Sequence, residues 1–254
     1  MAEAATLTLP TRRDEAWRYA DMDGVARLGV AALDQWQAID VPAGDSVTRC
    51  LIVGSGQPEL RRFRVTLGEG ARAAFFVTNA GQDYTRVEVE VRLARGAHFE
   101  FGGVTIGGGD ATREFVTKVV HGEPEATSNQ TVRAVHWNTG TGNFLGEIKV
   151  ARHAQKTDAA QDFKALLLET GASANAVPQL EIFADDVKCA HGATVGELDE
   201  AARFYMMARG LDPATAQRLL VQAFLGDAFV ALDDADEHAR LLDAALSALE
   251  GARL

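Results

Sequence analysis

Short segments of alternating polarity dominate the middle of this chain of 254 residues. Successive side chains of a strand point to opposite faces, so the alternation predicts half-buried β-strands. No helix-length apolar periodicity interrupts the pattern for more than a hundred residues. The predicted strands cover residues 63–67, 85–93, 98–101, 113–120, 131–137, 144–150, 163–169 and 178–188.

Glycine-containing turn signals separate these segments, at intervals of roughly ten to fifteen residues, which is typical of an all-β protein. A sandwich, a barrel and a β-solenoid all fit this rhythm. The lack of a clean sequence repeat counts against a regular solenoid, although irregular solenoids exist. The alternation by itself therefore leaves three architectures open.

Three regions of different texture divide the chain. Residues 1–50 form a short N-terminal segment, in which helical turns are predicted over Asp14–Trp17 and Val25–Gln37. Residues 51–195 carry the strands and form the predicted β core. Residues 196–254 return to helical spacing and predict a small C-terminal helical domain.

The C-terminal region shows helix-start signals beside apolar stripes. Asp212 followed by Pro213 predicts an N-cap and a first helical position. The later run DDADEH places acidic side chains at the positive end of a further helix. Phe224, Leu225 and Phe229 are more apolar than a small capping region requires. They either pack on the strand core or form a docking surface for a partner.

Composition narrows the class of protein. The net charge of -11 and the lack of a basic patch argue against nucleic acid as a partner. No apolar run of 18 residues occurs, so a membrane span is not expected. The two cysteines, Cys50 and Cys189, form no CxxC and no disulfide framework, which fits a reducing compartment. We therefore expect a cytoplasmic protein.

Cys189 and His191 are the strongest candidate site residues. We expect strand before this pair and helix after it, near the end of the sheet. Residues two apart on a strand share a face, so a thiolate and an imidazole would leave the backbone together. These ligands suit iron, copper and zinc, but two ligands do not close a tetrahedral site. The alternative is a buried cysteine beside a surface histidine.

Two stretches of the chain resemble the SufB/SufD family of iron–sulfur cluster assembly proteins. PTRRDEAWRYADM, over Pro10–Met22, looks like the N-terminal signature of the SufD branch. Residues 154–224, which include PQLEIFADDVKCAHGATVGELDEAARF, are similar to the C-terminal region that both branches share. The second motif is long and specific. The stretch from Leu33 to about Asp110 matches only in texture.

The resemblance implies a right-handed parallel β-helix core with a C-terminal helical domain. It implies a non-catalytic scaffold subunit of the SufBCD complex, which pairs with SufB through the edge of the β-helix. The SufC ATPase would dock on the C-terminal helices and hydrolyse the ATP, and this chain would bind no nucleotide. His191, with Cys189 beside it, would lie at the SufB interface, where a transient iron–sulfur cluster forms.

The chain differs from the family pattern in two respects, and two alternative interpretations stay open. The CxxC-bearing stretch of SufB is missing, which favours the SufD branch over a SufB-like scaffold. Family members are much longer, with a larger N-terminal helical domain. A β-helix protein that acts on polysaccharides is a rival, although aromatic residues make up only 7% of the chain. A self-associating homodimer is expected where SufB is absent.

Overall fold

The computed structural model describes residues 8–250. Twelve strands form two six-stranded sheets, in which each strand pairs in parallel with the strand two places along the chain. We call them the odd sheet (β1, β3, β5, β7, β9, β11) and the even sheet (β2, β4, β6, β8, β10, β12). The strands are β1 Gln37–Val41, β2 Ser46–Val53, β3 Glu59–Leu67, β4 Arg72–Asn79, β5 Thr85–Leu93, β6 His98–Gly107, β7 Thr112–His121, β8 Thr127–His136, β9 Thr141–Val150, β10 Asp158–Leu167, β11 Ser173–Ile182 and β12 Lys188–Gly196.

The helices lie before and after this stack of strands. They are α1 Met22–Leu28, α2 Glu200–Ala208, α3 Pro213–Gly226 and α4 Ala235–Leu249. Three 3-10 turns cover Glu15–Trp17, Val30–Asp34 and Asp227–Phe229. Within residues 8–250, no helix is both long and apolar enough to cross a bilayer.

The alternation between two sheets makes each pair of strands one turn of a parallel β-solenoid. Register partners are 26 residues apart at Gln37 and Phe63, and 32 residues apart at Thr141 and Ser173. Because the turns lengthen along the chain, no fixed sequence period arises, which explains why the sequence lacks a legible repeat. The predicted parallel β-helix with a C-terminal helical region is confirmed.

Several local predictions need correction. The strand predicted over residues 178–188 is two strands, since β11 ends at Ile182 and β12 begins at Lys188. The helix predicted over Val25–Gln37 is a short α1 followed by a 3-10 turn. Strand pairing begins at β1, which precedes the first segment in which the sequence shows clear alternation of polar and apolar residues. The helix start predicted at Asp212 is confirmed, and so is the start within DDADEH, because the carboxylates of Asp212 and Asp234 cap backbone N–H groups.

The main core lies between the two sheets, where the inward side chains of successive strands stack. Phenylalanine rings meet across it: the centroids of Phe101 and Phe115 are 5.3 Å apart, and Phe144 stacks on Phe163 at 5.9 Å. Such pairs add about 1 kcal/mol each to the effect of burial. The interior of the middle turns is therefore filled by packed side chains.

The N-terminal segment covers the outer face of the odd sheet. The guanidinium of Arg86 is fully buried beneath the ring of Trp17, 3.9 Å from its centroid. It donates to the carbonyl of Ala16 at 2.7 Å and pairs with Glu114 at 3.3 Å. The hydroxyl of Tyr84 donates to the same carboxylate at 2.7 Å. A compensated buried charge thus holds the segment on the sheet.

The C-terminal helices cover the outer face of the even sheet. Phe76 of β4 meets Phe229 with ring centroids 6.4 Å apart, inside a second apolar cluster. The buried hydroxyl of Thr78 donates to the carbonyl of Leu241 at 2.8 Å. Leu225 and Phe229 are fully buried and Phe224 is partly buried. Of the two interpretations of these apolar residues, packing on the strand core is therefore the one that the structure supports.

Two histidines are fully buried inside the solenoid. The ring of His121 bonds the hydroxyl of Ser128 at 2.9 Å, and Nδ1 of His136 donates to the carbonyl of Gly107 at 2.9 Å. Burial lowers the pKa of His121 to about 4. Burial, together with the nearby charge of Arg113, lowers the pKa of His136 to about 3. Both rings are neutral in the folded protein at neutral pH.

These histidines predict a loss of stability in mild acid. Unfolded histidines titrate near pH 6.5, so below that pH the unfolded state binds more protons and stability falls as the pH falls. Between pH 7 and pH 5 we expect the free energy of unfolding to drop by about 4 kcal/mol, about 2 kcal/mol for each ring. Urea unfolding at the two pH values measures this difference.

A His121→Asn variant serves as the control for that experiment. It is expected to lose about half of the pH dependence, because one of the two titrating rings is gone. Equal stability of the natural chain at pH 7 and pH 5 would contradict the assignment of neutral buried rings.

Candidate functional site at the terminal turn

The last turn of the solenoid differs from the earlier turns in its exposure. β11 and β12 are the terminal strands of their sheets, and each pairs with a neighbour on one side. The residues of β12 are exposed or half-buried throughout, whereas β6 and β8 are mostly buried. One edge of each sheet, and the end of the core between β11 and β12, are therefore open to solvent here.

Cys189 and His191 both lie on β12, on the strand face that points into the solenoid. Their register partners on β10 are Ala159 and Gln161, which are buried in the interior. Cys189 is half-buried and packs against an apolar cluster that includes Ile148. His191 is exposed. The two side chains occupy core positions that no further turn covers within residues 8–250.

This placement confirms one part of the sequence interpretation and corrects another. The thiol and the imidazole do leave a strand on the same face. The pair lies inside β12, however, and α2 begins only at Glu200, so the pair is not at a strand–helix junction. The run KCAHGATVG has small residues and weak alternation, which hid the strand.

The pair is an incomplete ligand set. Among residues 8–250, no group of three or more His, Cys, Asp and Glu side chains is placed to hold a metal ion. Burial, and then the negative charge of Asp158, raise the pKa of the Cys189 thiol. At neutral pH the group is therefore mainly a thiol, and a bound cation would be needed to favour the thiolate.

Large apolar side chains are exposed on the terminal turn, and the sequence analysis missed them. Ile182 and Phe183 are exposed at the end of β11, and Val195 is exposed near the end of β12. The alternation of the sequence does not reveal them, because core and terminal turns carry the same pattern. Exposed apolar groups next to an unpaired strand edge are typical of a protein interface.

A second exposed surface lies on α2. Phe204 is 73% exposed and Tyr205 is 59% exposed, and Met207 is exposed beside them. No residue of α2 is buried, although the helix is capped by Asp199. These residues form an exposed apolar surface on α2, whereas Leu225 and Phe229 are buried and Phe224 is partly buried. We call Phe204, Tyr205 and Met207 the α2 patch.

The fold and the site define a parallel β-solenoid whose terminal turn is open and carries a Cys–X–His pair. Residues 39–224 match the protein family described as "SUF system FeS cluster assembly, SufBD core domain". The chain belongs to this family of iron–sulfur cluster assembly proteins, as the two sequence stretches predict.

Curated relatives match the chain over about half of its length. The iron-sulfur cluster assembly protein SufD of Escherichia coli (strain K12) is 40% identical over 118 residues, which are 46% of this chain and 28% of that protein. Protein ABCI7, chloroplastic, of Arabidopsis thaliana is 40% identical over 116 residues, 45% of this chain and 24% of that protein. SufD of Bacillus subtilis (strain 168) is 32% identical over 122 residues, 48% and 28% of the two chains. The chain thus matches about a quarter of the length of each relative.

The raised pKa of Cys189 predicts slow alkylation. In a Cys50→Ser background, iodoacetamide is expected to modify Cys189 at pH 7.5 at least roughly threefold more slowly than it modifies free cysteine, because the thiolate is the nucleophile. Mass spectrometry of timed samples gives the rate. An Asp158→Asn variant is expected to react faster, since one cause of the raised pKa is removed. Alkylation as fast as that of free cysteine would contradict the assignment.

Proposed function

We propose that this chain is a scaffold subunit of the SufD type in the SufBCD iron–sulfur cluster assembly complex. It is not itself a catalyst, and the ATP is hydrolysed by the partner SufC. The observation that carries the proposal is the open terminal turn, which exposes Cys189 and His191 at core positions of β12. The family match and the relatives that are named SufD support the same role.

The terminal turn suits strand addition by SufB. β12 has one unpaired edge, and a second parallel stack could continue the ladder there with backbone hydrogen bonds. Ile182, Phe183 and Val195 would be covered in the same event. Burial of these side chains provides affinity, and the strand edge fixes the register.

The iron–sulfur cluster is cargo in this proposal and not a resident cofactor. An imidazole and a thiolate can both ligate iron, and two ligands from this chain leave positions for ligands from SufB. His191 is the better placed of the two, because its side chain is exposed and can reach an iron ion without a change of the core. Cys189 would have to lose a proton on binding, which its burial and Asp158 oppose.

The α2 patch suits a docking surface for SufC. A nine-residue helix that buries none of its own residues gains little from the fold, so its apolar side chains are available to a partner. Tyr205 and Phe204 are of the aromatic type that is enriched at the centre of interfaces.

Replacement of His191 tests the cluster site. When the chain is reconstituted with SufB and SufC, His191→Ala is expected to lower the amount of cluster bound to the complex by roughly tenfold or more. The reason is that the cluster loses the imidazole ligand that this chain supplies. The visible absorbance of the cluster and the bound iron measure the loading. His153→Ala, which changes an exposed histidine in the β9–β10 loop, is the matched control and should keep full loading.

Unchanged loading in the His191→Ala complex would remove His191 from the mechanism. Light scattering of the chain alone and with SufB measures the oligomeric state, which tests whether SufB pairs with the free edge of β12. A homodimer that persists in the presence of SufB would contradict the proposed pairing.

A charge in the α2 patch tests the docking of SufC. Phe204→Asp is expected to weaken SufC binding by roughly tenfold or more, since a charge replaces an aromatic anchor in a desolvated contact. Isothermal titration measures the affinity. Val230→Asp is the control, because Val230 is 77% exposed but lies outside α2. Equal affinities for the two variants would mean that SufC binds elsewhere.

A further inference from the structure

One buried arginine of the solenoid has no carboxylate partner in the described part of the chain. Arg113 lies on β7, points into the solenoid and is 2% exposed. The two other buried arginines are compensated, since Arg86 pairs with Glu114 and Arg133 pairs with two aspartates. Burial alone lowers the pKa of Arg113 to about 10, so its guanidinium stays charged at neutral pH. A buried charge without a countercharge is costly to the fold.

Backbone contacts fix the guanidinium of Arg113 in place. Its two terminal nitrogens donate to the carbonyls of Ala111 at 3.3 Å and Gly108 at 3.2 Å, which are long hydrogen bonds. A Cβ atom at Gly107 would lie 2.2 Å from one of these nitrogens, so the group packs directly against the backbone. The third nitrogen, Nε, is buried and has no acceptor within residues 8–250. One N–H of a fixed cation is therefore free.

Asn79 supplies a second free donor. It is the last residue of β4, is fully buried, and its Nδ2 has no acceptor among the described residues. Its Oδ1 accepts from the hydroxyl of Thr85 at 2.7 Å and from the N–H of Gly81 at 3.4 Å. Because the N–H of Gly81 can only donate, turning the amide over would place two donors face to face. The free group of Asn79 is therefore the NH2.

Both free donors lie in one corner of the solenoid, where even strands end and odd strands begin. Thr85, which contacts Asn79, is also the register partner of Arg113, and neighbouring strands are about 4.8 Å apart. Thr105, the register partner of Asn79, bonds the ring of His136 at 3.1 Å. The charge of Arg113 contributes to the low pKa of His136, so this ring lies within its field. We call these five buried residues the polar corner.

The polar corner has donors and a positive charge but no negative group. The ring of His136 is neutral, and Glu114 points to the outer face, where it serves Arg86. A water molecule could accept from the two free N–H groups, but it would leave the charge uncompensated. A small anion accepts from both donors and neutralises the guanidinium. Because buried side chains enclose the corner, a monatomic anion suits it better than a phosphate or a sulfate, which need room for more oxygen atoms.

We propose that the polar corner binds one chloride ion, which accepts from Nε of Arg113 and Nδ2 of Asn79. The site lies in the middle turns and is separate from the terminal turn, so it does not depend on the proposed function. The unfolded chain has no such site, and the anion therefore stabilises the folded state by mass action. The stability of the solenoid thereby becomes dependent on the concentration of chloride.

Urea unfolding at constant ionic strength tests the site. Chloride is titrated from a chloride-free buffer, and sodium gluconate, whose anion is too large for the corner, makes up the remaining salt. Urea is used because guanidinium chloride would itself supply the anion. One bound anion predicts that a tenfold rise in chloride raises the folding equilibrium constant by up to about tenfold. Stability that stays the same over the whole titration would overturn the proposal.

Two variants connect the chloride effect to the polar corner. Arg113→Met removes the charge and keeps the length of the side chain, so the dependence on chloride should disappear. Asn79→Asp places a carboxylate beside the guanidinium as an internal countercharge. It should also remove the dependence, and it should make the chain more stable than the natural one in chloride-free buffer. Arg64→Met is the matched control and should keep the full dependence, since Arg64 pairs with Glu90 on the exposed face of the odd sheet.

Bromide locates the anion directly. In crystals of the natural chain grown with sodium bromide, the anomalous signal is expected to peak within hydrogen-bond reach of Nε of Arg113 and Nδ2 of Asn79. A water molecule alone at this place, or a chloride dependence that Arg113→Met retains in full, would overturn the anion site. If Arg113→Met does not fold, Asn79→Asp and the bromide signal decide the question. Failure here would leave the pairing with SufB untouched, because the two sites share no residue.

Discussion

The ending of a parallel ladder is the constraint on which the rest of this structure depends. Each turn of the solenoid seals the inward face of the turn before it, so the inward positions of β10 are buried core. β12 continues the same inward face without a turn beyond it in the described chain. Core positions thereby become surface positions, which is why His191 is exposed and Cys189 is only half-buried. An incomplete site needs no special loop when the stack ends in this way.

The two covers of the solenoid leave this end open. The N-terminal segment lies on the odd sheet and the C-terminal helices lie on the even sheet, and each is held by an arginine with compensating carboxylates. Arg86 works with Glu114 on one side, and Arg133 works with Asp162 and Asp227 on the other. Removing one partner of a buried arginine leaves an uncompensated charge, which costs about 3–5 kcal/mol of stability. These ion pairs therefore fix the positions of the N-terminal segment and the C-terminal helices on their sheets.

The sequence predicts most of the strands and the helix caps, because alternation and N-cap residues are local signals. β5 coincides with its predicted segment, and Asp212 caps α3 as expected. β12 was missed because its residues are small, and the outward role of Phe204 was missed because helical spacing does not say which face packs. The family came from resemblance, whereas the Cys189–His191 pair came from its spacing of two residues on a strand, and the resemblance supplied only its expected place at an interface. The register of β10 on β12, and with it the surroundings of the pair, depends on contacts distant in sequence and needed the structure.

The helices pack mainly against β2, β4, β6 and β8, and Leu166 of β10 lies at the margin of their apolar cluster. Neighbouring strands are about 4.8 Å apart, so β12, which carries the thiol and the imidazole, lies roughly 10 Å beyond β8 along the stack. The number of turns therefore sets the distance between the helical region and the open end of the solenoid. A homologue that gained one turn by duplication would keep its fold and both surfaces, but its Cys–X–His pair would lie farther from the helices, and a partner that spans both surfaces would have to be longer.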